Sequence, residues 1–517
     1  MSDPRSTSTI SEHNHRSGRS RRRTALLLAV PALLVAAMTS GAGSATASPA
    51  GAADSPGKYA HGLITVGMPD RTVSGVERAG AVDIYPPHSA RQVLTEKSLG
   101  LKSIAGARFG ASITMADLNH DQLTDLLIGV PGSPAKEDSG HVVIVFQSDS
   151  GLFTAAHTRI LKGPGVPGDE FGAAITASPR PTDGWRQDVW VGAPGLDLST
   201  GSSQTIGAAG AVYHFVSDTD GTITSAGRLV EGDSTIPGPA EADDRFGSVL
   251  ASTANGVVVG VPTKDVDGAI DAGAIVRVRL DRDTHQLLPA QVISENTPGV
   301  PGTAQESDLF GASVSENGYG VGIPGEHVGS QQAAGAVQTF IDDPAEAGRL
   351  LPSVQFTQDS AGIPGIAEAG DRFGLALSQD ILACVGVLSL AIGSPGEDVD
   401  LATNAGSVTL VTIRPNSEAS QPCPAKQLTQ GHGIPGHPES GDRFGSTVST
   451  IGGTNREEAT QDTLLVGSPG EDAGTHRNTG RAAIRSMHAD SRGFGAQSGD
   501  ATARSYGSVL GTEASGL

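Results

Sequence analysis

Phe109-Gly110-Ala111-Ser112-Ile113-Thr114-Met115-Ala116-Asp117-Leu118-Asn119-His120-Asp121-Gln122-Leu123-Thr124-Asp125-Leu126-Leu127-Ile128-Gly129-Val130-Pro131 is the stretch that decides the fold. A Phe-Gly pair opens it, an apolar run comes next, an acidic loop interrupts, and a second apolar run ends in Gly-x-Pro. Its two ends recur along the chain. Phe-Gly returns at Phe171-Gly172, Phe246-Gly247, Phe310-Gly311, Phe373-Gly374 and Phe444-Gly445, with a relaxed copy at Tyr506-Gly507. Gly-x-Pro stands at Gly67-Met68-Pro69, Gly129-Val130-Pro131, Gly192-Ala193-Pro194, Gly260-Val261-Pro262, Gly322-Ile323-Pro324, Gly393-Ser394-Pro395 and Gly467-Ser468-Pro469. Self-similarity at intervals of about 62 to 75 residues marks a repeat architecture. Phe494-Gly495 breaks the spacing and reads as incidental.

Within each unit a third apolar stretch comes after a small residue and Gly, as at Ser139-Gly140, Ala272-Gly273 and Ala405-Gly406. A weaker fourth stretch precedes the next Phe-Gly. Four short antiparallel strands per unit describe a β-propeller blade. The phase of the repeats predicts how the ring closes. The chain starts with a Gly-x-Pro half, Leu63 to Tyr85, and ends with a Phe-Gly-like half, Tyr506 to Leu510. Together they complete a seventh blade, and closure removes the exposed sheet edges of an open array. The expected fold is all-β, a seven-bladed propeller closed by its N- and C-terminal segments.

These motifs, over about residues 60–512, resemble FG-GAP repeats, as in the amino-terminal propeller of integrin α subunits and related bacterial proteins. Low lysine with abundant arginine, alanine and glycine is in keeping with a bacterial source. The resemblance implies an extracellular ligand-binding or adhesion-type domain, with calcium loops between the first and second strands and ligands on the opposite face, some of them basic. Integrin signalling is not implied, because no leg domains or membrane span accompany the repeats.

The acidic loop carries its own chemistry. Asp117, Asn119, Asp121 and Asp125 place oxygen side chains at positions 1, 3, 5 and 9, and the Leu123 carbonyl adds another. One tight loop can wrap Ca²⁺ with such a set. The other reading is an Asx-rich turn whose side chains cap backbone N–H groups. The next unit keeps only Asp188 at the place of Asp125, with Asp183-Gly184 upstream, and the sixth has Asp462 one residue out of register. One structural calcium is therefore expected.

A second set of acids repeats. Ile236-Pro237-Gly238, Val300-Pro301-Gly302, Ile363-Pro364-Gly365 and Ile434-Pro435-Gly436 precede Phe-Gly in a fixed frame, with Asp169, Asp244, Asp308, Asp371 and Asp442 two residues before Phe. Glu326, Glu397-Asp398 and Glu471-Asp472 come after Gly-x-Pro. In an up-and-down blade both connections emerge on one face. The candidate ligand face is thus Asp244, Asp308, Asp371, Asp442, Glu397, Asp398, Glu471 and Asp472. Capping of turns by these aspartates is the competing reading.

The first 47 residues read as a secretion signal: Arg16, Arg19, Arg21, Arg22 and Arg23, an apolar run from Ala25 to Met38, then Ala45-Thr46-Ala47. Ser20-Arg21-Arg22 lacks the bulky follower of a twin-arginine signal, which favours the general secretory route. Residues 48–58 read as linker and 59–517 as the propeller. The whole-chain charge is −21. The leader holds six arginines against Asp3 and Glu12, so the mature chain carries about −25. That charge argues against nucleic acid, because phosphate binding needs a basic footprint, and favours basic or cationic partners. The two cysteines, Cys384 and Cys423, are a candidate disulfide in an oxidising compartment, or two separate thiols. No H-E-x-x-H, G-x-S-x-G or phosphate-binding glycine loop occurs. Gly232-Asp233-Ser234 occupies a repeated linker position. The expected function is binding by a monomer. An extracellular hydrolase or lyase at the channel mouth, or a passive envelope scaffold, are the alternatives.

Overall fold

The computed structural model describes residues 63–511 apart from 87–89, 133–138, 181–185, 200–204, 385–386, 414–422, 452–462, 473–477, 487–491 and 496–508. The secretion signal, the linker, Asp183-Gly184, Asp462 and Tyr506-Gly507 lie outside the described residues. Seven antiparallel sheets form the ring. Blade 1 holds Ile64–Met68, Ala81–Tyr85 and Gln92–Leu94 and takes its remaining strand, Val509–Gly511, from the far end of the sequence. Val66 pairs with Leu510 and Gly67 with Val509. The ring closes as the phase of the repeats predicts.

Blade 2 runs Ser112–Ala116, Asp125–Val130, His141–Gln147, Phe153–Lys162; blade 3 runs Ile175–Pro179, Gln187–Ala193, Ala211–Ser217, Ile223–Leu229. Blade 4 runs Val249–Thr253, Gly256–Val261, Ala274–Leu280, Leu287–Ile293, and blade 5 Ser313–Val314, Gly320–Ile323, Ala336–Asp342, Leu350–Phe356. Blade 6 runs Ala376–Cys384, Val387–Ser394, Ser407–Thr412, Lys426–Gln430, and blade 7 Thr447–Ile451, Thr463–Ser468, Arg481–Ser486, Arg492–Gly495. Phe494-Gly495 thus lies in a fourth strand and opens no repeat.

The inner strands read as continuous apolar runs because each sheet is covered on both faces by its neighbours. Leu126–Ile128 and Val257–Val259 are fully buried. The core is divided into clusters between adjacent blades. Val82 and Ile84 pack on Ile113 and Ile128 between blades 1 and 2. Leu127 and Ile144 pack on Ile175 and Val191 between blades 2 and 3. Between blades 7 and 1, Leu465 and Ala482 meet Val66, Met68, Ala81 and Leu510.

The repeated motifs latch one blade to the next. Phe109 N–H donates to the Ala79 carbonyl at 2.9 Å, and Phe246, Phe310, Phe373 and Phe444 repeat the bond to Ala209, Ala272, Ala334 and Ala405 at 2.8–2.9 Å. The phenyl rings are fully buried behind it. The residue after each of these alanines must be glycine. Gly273 has φ +89°, and a Cβ there would lie 2.3 Å from the Phe310 carbonyl oxygen. The glycine of Gly-x-Pro answers a second close approach: a Cβ on Gly129 would lie 2.1 Å from the Gly172 carbonyl oxygen of blade 3. Backbone approaching backbone leaves room for no side chain.

Candidate functional site

Two regions carry polar chemistry, and they lie in different connections of the blades. The first is the loop between the first two strands of blade 2. Asp125 opens the second strand, is fully buried, and accepts N–H bonds from Leu118 at 2.9 Å and Gln147 at 3.0 Å. Asp117 accepts from Gln122 at 3.0 Å and Asp121 at 3.2 Å, and Asp121 accepts from Leu123 at 2.8 Å. His120 and Gln122, at φ +59° and +67°, turn the chain back on itself. Burial pushes the Asp125 carboxyl up to about 8, against the pull of its two N–H donors, with Asp121 and Asp117 adding to the rise. Burial raises Asp117 as well. The donor set is all oxygen, and buried Asp125 is raised further by the neighbouring Asp121 and Asp117 carboxylates, so these residues fit a hard cation. The Asx-turn bonds expected of the competing reading are also present.

Asp188, at the place of Asp125 in blade 3, shows the other way to hold such a charge. Arg180 sits 3.0 Å from it and His214 Nε2 2.7 Å, with the imidazole stacked on Trp190 at 3.9 Å. The Arg180 guanidinium there does what an ion would do, with His214 as a hydrogen-bond partner.

The second region lies where the connection leaving a fourth strand meets the Gly-x-Pro turn of the next blade. Each repeated aspartate turns its Oδ2 onto the N–H three residues before it: Asp169 to Val166 at 2.8 Å, Asp244 to Glu241 at 2.7 Å, Asp371 to Glu368 at 2.6 Å, Asp442 to Glu439 at 2.7 Å, and Asp308 to Gln305 at 2.5 Å. All five are buried. Asp244, Asp308, Asp371 and Asp442 therefore cap turns and do not face solvent, so the capping reading describes them. The acids after Gly-x-Pro are more open. Glu397 accepts from Gln358 and, at 3.0 Å, from Gln427. Glu471 accepts from Gln430 and lies 3.3 Å from Arg481. Asp398 and Asp472 each accept a backbone N–H at 2.8 Å, from Asn404 and Asn478. Asp398 and Asp400 are exposed, and with Glu397, Gln427, Thr429 and His432 they border a depression of about 360 Å³ on blade 6.

One acidic group was not singled out from the sequence. Glu295, just past the fourth strand of blade 4, meets Asp308 and Glu326 so that one oxygen from each lies within 4.8 Å of the others. Burial, then Glu326 and Asp308, push the Glu295 carboxyl up to about 10. Burial and Asp308 push Glu326 to about 7. The signal that marks the position is a glutamate or glutamine at, or just past, the end of a fourth strand: Glu231, Glu295, Gln358 and Gln430.

Cys423 is held in a disulfide. The side chain of Cys384, at the end of the first strand of blade 6, lies outside the described residues. No helix among the described residues is long and apolar enough to cross a membrane.

The FG-GAP repeat family model matches residues 109–145, from the first latch phenylalanine through the acidic loop. The chain is 34% identical over 136 residues to integrin alpha-3 of Cricetulus griseus, covering 26% of this chain and 12% of that protein. It is 33% identical over 167 residues to integrin alpha-3 of Mus musculus, 32% of this chain and 14% of the relative. It is 36% identical over 129 residues to phosphatidylinositol-glycan-specific phospholipase D of Homo sapiens, 23% of this chain and 14% of that protein. The fold is a seven-bladed propeller, and residues 109–145 within it match an FG-GAP repeat. The chain covers less than a sixth of the length of each of these relatives.

The turn-capping aspartates predict a pH dependence of the propeller's stability. Burial pushes the Asp371 carboxyl up to about 7, with Glu397, Glu368 and Asp398 adding to the rise. Asp442 reaches about 7 in the same way, beside Glu471, Glu439 and Asp472. A carboxyl whose pKa is higher folded than unfolded binds its proton more tightly in the folded chain. Its contribution to stability is full below about pH 4 and is lost as pH rises through about 7. Melting temperature is expected to fall from pH 5 to pH 8, and Asp371→Asn with Asp442→Asn, which keep an oxygen for the turn N–H, to flatten that fall. An identical slope in the double variant would refute the assignment.

Proposed function

We propose that this FG-GAP propeller is a secreted, extracellular ligand-binding or adhesion-type domain that works by binding, as a monomer. One Ca²⁺ held by Asp117, Asn119, Asp121, the Leu123 carbonyl and Asp125 stiffens blade 2. When bound, the ion would offset the mutual repulsion of the loop carboxylates. Residues 1–47 are its secretion signal, 48–58 a linker and 59–517 the propeller, and Cys384 is the partner of Cys423 in the disulfide.

The observation that carries the binding reading is the blade 6 depression. Exposed Asp398 and Asp400 beside partly exposed Glu397 present negative charge at an open surface, where a lysine, arginine or other cationic group can be met without desolvating the whole site. The likeness to integrin α chains supports the same reading. The expected ligand is a basic segment of an extracellular macromolecule.

Titration with a lysine- and arginine-rich peptide, read by calorimetry, tests this. Saturable binding is expected, weakened about tenfold by Asp398→Asn with Asp400→Asn and weakened again by added salt. Asparagine keeps the turn bond to Asn404, so the fold is undisturbed. Equal binding by the variant, or equal binding of an acidic peptide, would overturn the reading.

A further inference from the structure

The same three positions recur at the four junctions from blade 3 to blade 7, and their side chains can be compared within this one molecule. Between blades 3 and 4 they are Glu231, Asp244 and Lys264. The ammonium sits 3.0 Å from Glu231 Oε1 and 3.1 Å from Asp244 Oδ2. Between blades 5 and 6 they are Gln358, Asp371 and Glu397, and between blades 6 and 7 Gln430, Asp442 and Glu471. In both, the glutamine amide donates to the glutamate. Past the fourth strand of blade 1, Glu96 faces His141 Nε2 at 3.6 Å.

Between blades 4 and 5 the positions are Glu295, Asp308 and Glu326. The two acids that grip an ammonium one junction earlier are both retained, and the lysine position is itself a carboxylate. Glu295 is 2% exposed and Asp308 fully buried. Neither oxygen of Glu295 has a hydrogen-bond partner; Asp308 Oδ1 and Glu326 Oε2 have none either. His327, next in the chain, is exposed and stands outside the cluster. An unpartnered buried carboxylate such as Glu295 is costly, and two more carboxylates beside it make it more so.

We propose that Glu295, Asp308 and Glu326 bind a divalent cation of the calcium class at the junction of blades 4 and 5, in the place that Lys264 Nζ fills between blades 3 and 4. The spacing suits the ion: three oxygens within 4.8 Å of one another share a centre no more than about 2.8 Å from each, and a shift of a few tenths of an ångström brings them to a calcium–oxygen distance of about 2.4 Å. This site is separate from the blade 2 loop, and it cross-links two blades where the loop stiffens one. A proton shared among the carboxyls is the competing occupant.

Glu295→Gln decides between them, because it recreates the Gln358–Glu397 pair that the fold already accommodates. Equilibrium dialysis of the chelator-stripped protein against radiolabelled Ca²⁺ at pH 7.5 reads the stoichiometry. Two ions per chain are expected for the wild type, one for Glu295→Gln, and one for Asp121→Ala, which touches only the blade 2 loop. In chelator, Glu295→Gln is expected to melt at or above the wild type, and to gain less from added calcium. The same stoichiometry and affinity for Ca²⁺ and Mn²⁺ in the wild type and Glu295→Gln would overturn the proposal and leave a proton in the site. Should Glu295→Gln fail to fold, Glu326→Gln is read by the same measure. Loss of the Asp121-dependent ion alone would concern the loop and leave this site standing.

Discussion

Leu510→Asp is expected to open the ring. Leu510 is fully buried and packs with Val66, Met68, Ala81, Leu465 and Ala482 between blades 7 and 1. Its strand covers the edge of Ile64–Met68. A carboxylate there loses the burial of a leucine side chain, roughly 2 kcal/mol. It also places a charge among the apolar side chains of Val66, Met68, Ala81, Leu465 and Ala482. A loss above about 4 kcal/mol is expected, a large part of the roughly 5–15 kcal/mol that holds a folded domain. The freed strand edge is also a template for pairing with another chain. Size-exclusion chromatography and limited proteolysis would then show oligomers and cleavage within blade 1. Removal of residues 506–517 should do the same. A monomeric Leu510→Asp variant melting within a degree or two of the wild type would refute the closure.

Calcium is expected to produce the second large effect. A ligand present at a thousand times its Kd and bound only by the folded chain adds about 4 kcal/mol. Chelation should therefore lower the melting temperature by several degrees, and Asp121→Ala should lose the part of that response that the blade 2 loop supplies. Asp121 is the residue to change because it is exposed within the loop and its bonds are local, to Asn119 and Leu123. Asp125→Ala would confound the result, since Asp125 also ties Leu118 and Gln147 together at the base of the loop. An unchanged midpoint on chelation, together with no loss of bound calcium in Asp121→Ala, would sink the loop as a metal site.

The ring was legible in the sequence because its latches are made of backbone. Where the Phe310 carbonyl comes within 2.3 Å of the position a Cβ on Gly273 would occupy, only glycine fits, and the letter repeats from blade to blade. The fully buried phenylalanine behind each latch leaves the same mark. The acids were less legible. Asp371 and Asp442 repeat as regularly as the glycines, and regularity alone does not tell a ligand rim from a turn cap. Burial and the bond to the N–H three residues back identify the cap. Glu295 shows a further limit. Its partner Glu326 lies in the next blade, beyond Asp308, and spacing along a chain does not reveal which side chains meet across a blade junction. What distinguishes this junction is a substitution pattern, Lys264 replaced by Glu326, and it gains meaning only once the ammonium is seen between Glu231 and Asp244.

The pairing of Thr65 with Gly511 has a kinetic consequence. Most strand pairs here join neighbours along the chain and form after closing a short loop. Blade 1 must bring together residues from opposite ends of the described sequence, and the entropy of closing so long a loop comes before any contact offsets it. Blades 2 to 6 can assemble earlier, each templating the next through its latch. The final docking of Val509–Gly511 then becomes the slow step, as non-local pairing generally is. Until it docks, blade 1 lacks one of its four strands and Ile64–Met68 keeps a bare edge. Yield on refolding is thus expected to depend on protein concentration, with dilute protein closing on itself and concentrated protein pairing between chains.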